Sequence, residues 1–436
     1  MHNKNDYCRR ARFGIALLGL AVVCQPLMAV EDDSPFAGEP SLSASRLVAA
    51  VLARHPDIPA MEAAWRAAKA RIASAESYDD PMLSYTMAPQ TIGEPGMDFG
   101  QKLSLSQRLP WPGKRDLRGD VARLKADAAF ESVEQARLKL TETTQAAYAD
   151  WYFVHAAIRI NGVNKTLLQE FQNIAEINYS AGRASKQDAL RAEVEVTLLE
   201  HRDIVLERHR REVLARLNTL LQRLPDLPLP PPAPLPESPP LPDVVQLRAA
   251  ALVRHPELRA LSARLQASRQ QQRLAERDRY PDITLNAGYN SLWMDDEKRF
   301  TVGAAINIPL QGRRHAARDE ARARILSLDA EQETMVSHIL SEVQRAYDQV
   351  RESTHVITLY RQRLLPLAEE NLQAAQSDYE SGSGNFLDLI SVEKNLMQTR
   401  LQLEQARSDY HRHWATLALA VGGPILSHSI NSWEDR

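Results

Sequence analysis

The sequence predicts a mainly α-helical chain that is written twice and carries a small amount of membrane-type β structure. Three observations predict it. The sequence repeats itself at a shift of about 200 residues. Each copy holds a pair of short stretches in which apolar residues alternate with polar or small ones. Each pair is followed by a long stretch in which apolar residues step by three and four.

The repeat is the firmest of the three. Residues 47–58 read LVAAVLARHPDI and residues 247–258 read LRAAALVRHPEL. Pro81 and Pro281 open the strand-like stretches at the same shift, and Pro110, Gly113, Lys114 and Arg115 match Pro309, Gly312, Arg313 and Arg314 one residue off it. Tyr179, Gly182, Asp188 and Glu193 match Tyr379, Gly382, Asp388 and Glu393. Chance does not hold a register through a whole chain, so each copy is one structural unit.

Residues 1–29 read as a secretory leader: a basic start at Lys4, Arg9, Arg10 and Arg12, an apolar core over 13–23, and a cleavage site at Leu27, Met28 and Ala29. Both cysteines, Cys8 and Cys24, lie inside it, so the exported chain is expected to have no disulfide framework; acylation at Cys24 stays open. The remainder divides into a first repeat (30–223), a proline-rich linker (224–242), a second repeat (243–424) and a short tail (425–436).

Each repeat opens with a short helix, near 43–76 and 243–277. Leu83, Tyr85 and Met87, then Leu103 and Leu105, alternate in the first copy; Ile283, Leu285, Ala287 and Tyr289, then Val302, Ala304, Ile306 and Ile308, alternate in the second. This is the pattern of a barrel strand with one apolar face. Gly- and Pro-rich or acidic residues (89–96 and 294–298) mark the connecting loops. Pro110-Trp111-Pro112-Gly113 ends the first pair, and no proline follows until Pro225. That stretch predicts helix to about 178, a turn over 179–185, and helix again to about 222. In the second copy Val336, Ile339, Val343, Ala346 and Val350, and Val392, Leu396, Thr399, Leu403, Ala406 and Tyr410, mark coiled-coil seams. Pro366 is expected to kink or break its helix. The linker is expected to be an extended, semi-rigid spacer.

Four strands cannot close a barrel, and open edges do not persist in lipid. If these are membrane strands, the chain must oligomerise. Among 436 residues, 44% are hydrophobic and 25% charged, with a formal net charge of −3; this speaks against disorder and against a nucleic-acid partner.

At this point the chain resembles the outer-membrane efflux protein (TolC) family, through the duplication, the order of strand pair and long helices, and the motif Tyr-x-x-Gly-x5-Asp in both copies. The segment Pro110 to Arg115 is similar to members paired with heavy-metal cation exporters of the RND type. The resemblance implies a homotrimer with a twelve-stranded β-barrel continuous with a periplasmic α-helical barrel, in the outer membrane. It implies a collar built from the short helices and the linker, and two partners, a periplasmic adaptor and an inner-membrane pump. It gives Asp388 an acidic ring at the tunnel's constriction and bonds Asp188 to Tyr379 in the closed state. The position of a second ring holds Ser391, and that of a basic residue in the closed link holds Ser383, so both features are expected to be missing here.

The bland readings stand beside these. Asp188 and Asp388 fit helix N-caps as well as a gate, and the two are compatible. Gly182 and Gly382 suit tight turns; with Arg183, Ala184, Ser383 and Gly384 they are also the candidate adaptor contacts. Lys114, Arg115, Arg313 and Arg314 fit either phospholipid headgroups, with Trp111 in an aromatic girdle, or a solvated first helical turn. His55 and His255 each stand alone before proline and read as structural. The sequence holds no nucleophile elbow, phosphate loop or metal-ligand spacing, so neither enzyme, cofactor nor metal site is expected. The function expected is a passive exit duct for metal cations or small toxic compounds; the alternative is a periplasmic coiled-coil adaptor or structural protein without a pore.

Overall fold

A computed structural model describes residues 36, 38–92, 99–182, 185–237, 239–291, 299–308 and 311–425. The leader, the loops at 93–98 and 292–298 and the last eleven residues lie outside them. The chain divides into Met1–Gly38 and Glu39–Arg436, and every element below belongs to the second unit.

The opening helix of each repeat is two helices. Helix α1 (Ala44–Arg54) and α2 (Asp57–Glu76) are separated at His55-Pro56, and α5 (Val244–Arg254) and α6 (Pro256–Arg277) at His255-Pro256. The cause is local: the residue before proline is pushed out of the helical region, and His55 and His255 have ψ of 126° and 118°. Strands β1 (Met82–Ala88) and β2 (Gly100–Leu109) follow α2, and β3 (Ile283–Asn290) and β4 (Phe300–Ile306) follow α6. Behind the first pair run α3 (Lys114–Ser180) and α4 (Lys186–Leu220). Helix α3, at 67 residues and about 1.5 Å per residue, is a rod of roughly 100 Å.

Behind the second pair run α7 (Gln311–Leu359), α8 (Leu365–Ser381) and α9 (Phe386–Val421). A π-helical turn, Tyr360–Leu364, joins α7 to α8, with Pro366 in the first turn of α8. Proline lacks an N–H and its ring crowds the carbonyl of the preceding turn; the wider π turn relieves both, so the expected break is a one-turn adjustment.

The four strands form one antiparallel sheet in the order β1-β2-β3-β4, so the two repeats join directly through β2 and β3. The helices next to the strands follow the same order: α2 packs on α3, α3 on α6 and α6 on α7. Further from the sheet, α8 packs on α9, α9 on α3 and α3 on α4. The predicted seams are the core. Ile339, Val343, Ala346, Val350, Leu403, Ala406 and Tyr410 are buried together in one cluster with α5; Phe171, Ala192, Leu199, Phe386, Leu389 and Ile390 form a second.

The proline-rich linker is docked. Its chain pairs with Leu42, which donates from its N–H to Pro231 O (2.8 Å) and accepts from Ala233 N (2.8 Å). Tyr148 Oη donates to Leu42 O (2.8 Å) and Ala233 O (3.1 Å), Trp151 Nε1 to Pro230 O (3.1 Å), and Tyr410 Oη to Pro239 O (3.3 Å). Prolines bring carbonyls without N–H groups, so only acceptors need partners, and these aromatic side chains supply them. Helix α9 ends at Gly422 (φ +81°), where a Cβ would lie 2.6 Å from His255 Cα. Only glycine fits that crossing.

Candidate functional site: the sheet, its base and the helical tips

The register decides what the sheet presents. Leu83 lies opposite Leu105 and Tyr85 opposite Leu103; Leu103 and Leu105 face Tyr289 and Ala287; Ala287, Leu285 and Ile283 face Val302, Ala304 and Ile306. Paired residues share a face. One face is therefore largely apolar across all four strands, interrupted on β2 by Gln101 and Gln107, while the other carries Ser84, Thr86, Lys102, Ser104, Ser106, Arg108, Thr284, Asn286, Asn290 and Thr301. Ser84 and Ser104 are hydrogen-bonded across it at 2.7 Å. The apolar face is bare: Phe300 is 74% and Val302 89% exposed. From Ile283 to Tyr289 it spans about 20 Å at roughly 3.3 Å per residue, close to the apolar band of a membrane barrel. Strands β1 and β4 each have one unpaired edge within the described sheet.

At the base of the sheet Trp111 stacks on Tyr280 with ring centroids 5.1 Å apart. The other members of the expected interfacial set behave differently. Lys114 is 3% exposed; its Nζ donates to Asp282 Oδ1 (2.9 Å) and Tyr280 O (2.9 Å) and pairs with Asp278 (3.2 Å). Arg108 Nη2 and the Trp111 N–H complete the shell of Asp282 at 2.6 and 3.1 Å. Lys114 thus ties the start of α3 to the end of α6, and neither headgroups nor solvent reach it. Arg115 lies over the Tyr78 ring (3.8 Å) and donates to Glu76 O (3.2 Å). Arg313 and Arg314 sit in the first turn of α7; their side chains lie outside the described structure.

The tips are two tight turns. Gly182 (φ +71°) ends the first, with its N–H on Tyr179 O at 2.9 Å; Arg183 and Ala184 lie outside the described residues. In the second, Gly382 (φ +77°), Ser383 and Gly384 wrap the end of α8, and Ser383 N and Gly384 N both donate to Asp378 O (3.0 and 2.9 Å). The N-cap of α9 is Asn385, not Asp388: Asn385 Oδ1 accepts from Asp388 N (2.9 Å) and its Nδ2 donates to Asp388 Oδ2 (2.7 Å). Asp388 is exposed and thereby fixed by its cap. Asp188 stands in the first turn of α4 behind Ser185. The structure does not join Asp188 to Tyr379: the Tyr379 Oη is buried without a hydrogen-bond partner, and its ring packs on Phe386 (5.4 Å).

Sequence reasoning missed one group. Glu393 is 3% exposed on α9, and its Oε1 has no partner. Contacts between Ser408 and Ala149 and between Tyr152 and Glu404 set an antiparallel register of α9 on α3 that puts Glu393 level with Asn164, whose buried Nδ2 also lacks a partner. Burial, then the nearby Glu195 carboxylate, push the Glu393 carboxyl up to about 7 against the opposing pull of Lys394 and Arg400. Two sequence signals pointed to the position without marking it as buried: its match to Glu193 in the first repeat and its place in the seam, one residue after Val392.

The family model for outer membrane efflux proteins matches residues 47–222 and 247–423, one match per repeat, and the chain belongs to that family. Its relatives include Nodulation protein T of Rhizobium leguminosarum bv. trifolii, 25% identical over 335 residues that cover 74% of this chain and 71% of that one. Over 131 residues (29% of this chain and 31% of that one) it is 27% identical to the cobalt-zinc-cadmium resistance protein CzcC of Cupriavidus metallidurans. The fold is that of the outer-membrane channel OprN, with a TM-score of 0.73 at 21% identity, covering 87% of this chain and 90% of that one. The chain is an outer-membrane channel protein of the efflux family, and not an enzyme.

Proposed function

We propose that this member of the outer membrane efflux protein family is the exit duct of a tripartite pump, passively conducting its cargo from periplasm to exterior. The observation that carries the reading is the sheet, largely apolar on one face and largely polar on the other, with an unpaired edge on either side within the described residues. Three copies joined β4 to β1 would close twelve strands with the apolar face toward lipid, and the matching order of α2, α3, α6 and α7 would continue the ring below. Energy would come from an inner-membrane pump of the RND type, coupled through a periplasmic adaptor that meets the turns at Gly182, Arg183, Ala184, Gly382, Ser383 and Gly384.

The gate would be a ring of Asp388 carboxylates, each aimed by its Asn385 cap, with Asp188 and Tyr379 beside it. Such a ring favours cations at the constriction by Coulomb attraction. The likeness to CzcC favours metal cations as cargo over other small toxic compounds; selection would lie in the pump.

Single-channel recording in planar bilayers tests this. Purified wild type should give small, cation-selective currents, and Asp388→Ala should raise conductance severalfold while lowering cation selectivity. Failure of a well-folded oligomer to conduct would overturn the duct. Currents indifferent to both Asp388→Ala and Asp188→Ala would leave the duct and remove the gate.

A further inference from the structure

Beside the base of the sheet lies a cavity of about 920 Å³ between the start of α3, the end of α6 and the start of α7. Its walls carry four arginines, Arg273, Arg277, Arg279 and Arg318, against two carboxylates, Asp116 and Glu276. Elsewhere in this chain arginines are routinely matched with acids, as Arg108 is with Asp282 and Arg412 with Asp150. These four are not, and none forms an ion pair with a carboxylate among the described residues. Arg277 instead donates to Pro112 O (3.2 Å), Arg273 to Gln270 Oε1 (3.4 Å) and Arg279 to Tyr280 Oη (2.7 Å), while the Nε of Arg318 is buried with no partner at all. Four arginines lining one space against two carboxylates, two positive charges in excess, suit an anion with several acceptor oxygens.

The position of the cavity identifies the anion's source. Trp111 lies two residues beyond the last residue of β2, Leu109, and Tyr280 three residues before the first of β3, Ile283, so this aromatic pair stands where the strands end. Tyr280, stacked on Trp111, is part of the cavity wall, and the Arg279 guanidinium lies 4.7 Å from the Tyr280 ring centroid. The arginines therefore cluster where the apolar face ends, at the depth of headgroups, below an aromatic pair of the kind that marks a membrane boundary. We propose that this cavity is a phosphate-binding site, occupied by the headgroup of an anionic phospholipid of the periplasmic leaflet. The site would fix the depth of the barrel in the membrane and seal the joint between strands and helices.

This rests on the sheet lying in the membrane, which conductance reads separately; a protein that conducts but binds no lipid overturns only the present proposal. The test is binding of phosphatidylglycerol to the delipidated, detergent-solubilised oligomer, followed by native mass spectrometry, with diacylglycerol as the phosphate-free probe. Phosphatidylglycerol should bind at least tenfold more tightly than diacylglycerol, and the triple variant Arg273→Gln, Arg277→Gln, Arg318→Gln should lose that margin. Equal binding by wild type and variant overturns the site. Displacement of the lipid by millimolar inorganic phosphate would keep the phosphate site and overturn its lipid source. Should the glutamine variant not assemble, the corresponding lysine variant decides: it keeps the charge but loses the bidentate fork, so binding should weaken severalfold, and unchanged binding counts against the proposal.

Discussion

At the scale of single residues, Glu393 is the group whose state should matter most to the helical tunnel. A carboxyl with a folded-state value of about 7 holds a proton that the unfolded chain has lost above about 4.5. The native state then binds more protons in that window, so stability falls as pH rises from about 4.5 to about 7 and levels off above it. The shift corresponds to an effect of about 3 kcal/mol at most. Thermal melts of the oligomer at pH 5 and pH 8 should show the acidic sample to be the more stable. Glu393→Gln, which keeps the shape without the charge, should abolish most of the difference; a variant with the wild-type pH slope would place the titrating group elsewhere. The neighbouring tip works by a different principle. Asn385 holds Asp388 by two hydrogen bonds, one to the carboxylate proposed to gate the duct and one from its backbone N–H, whereas Asp188 has no such side-chain partner among the described residues.

Among elements, the linker shows how composition is converted into position. A run of prolines resists helix and strand and presents carbonyls with few N–H groups, so it can be bound only by donors. Tyr148, Trp151 and Tyr410 are such donors, held on the rigid faces of α3 and α9. Tyr148 is the central one: it is 3% exposed, serves two carbonyls, and burial raises its hydroxyl to about 12 while the Ala233 hydrogen bond pulls the other way, so it stays a donor at any physiological pH. Tyr148→Phe leaves the Ala233 carbonyl without its donor and Leu42 O with only the Ala233 N–H, and should cost about 1–3 kcal/mol, read as a lower melting temperature and as faster proteolysis between residues 224 and 242. A linker cut no faster than in wild type would mean that the strap is held by packing alone.

For the molecule as a whole, the decisive quantity is what the sheet's bare face meets. A lysine at Val302, on the apolar face, should cost about 2–4 kcal/mol near the bilayer midplane and reduce heat-stable oligomer in outer-membrane fractions. The adjacent Thr301→Lys, pointing to the polar face, should assemble normally. Equal behaviour of the two variants would remove the sheet from the membrane.

Much of this architecture was legible in the sequence because its signals are local or repeated. Period-two stretches, steps of three and four, Pro-Gly punctuation and a duplicated tip motif each depend on neighbours a few residues away, and the 200-residue shift ties them into two equal units. Boundaries of the long helices came within a few residues for the same reason. What only the tertiary structure decided involves partners far apart in the chain. Lys114 looked like a surface cation because nothing nearby in sequence neutralises it; Asp282, 168 residues away, takes it inside. The break at each His-Pro pair was printed in the sequence, but the need for glycine at 422 arises only where α9 crosses His255. The pairing of β2 with β3 fixes which residues share a face across the repeats, and with it the lipid side of the barrel. Local patterns state which residues are apolar; only the register between distant segments states what those residues touch.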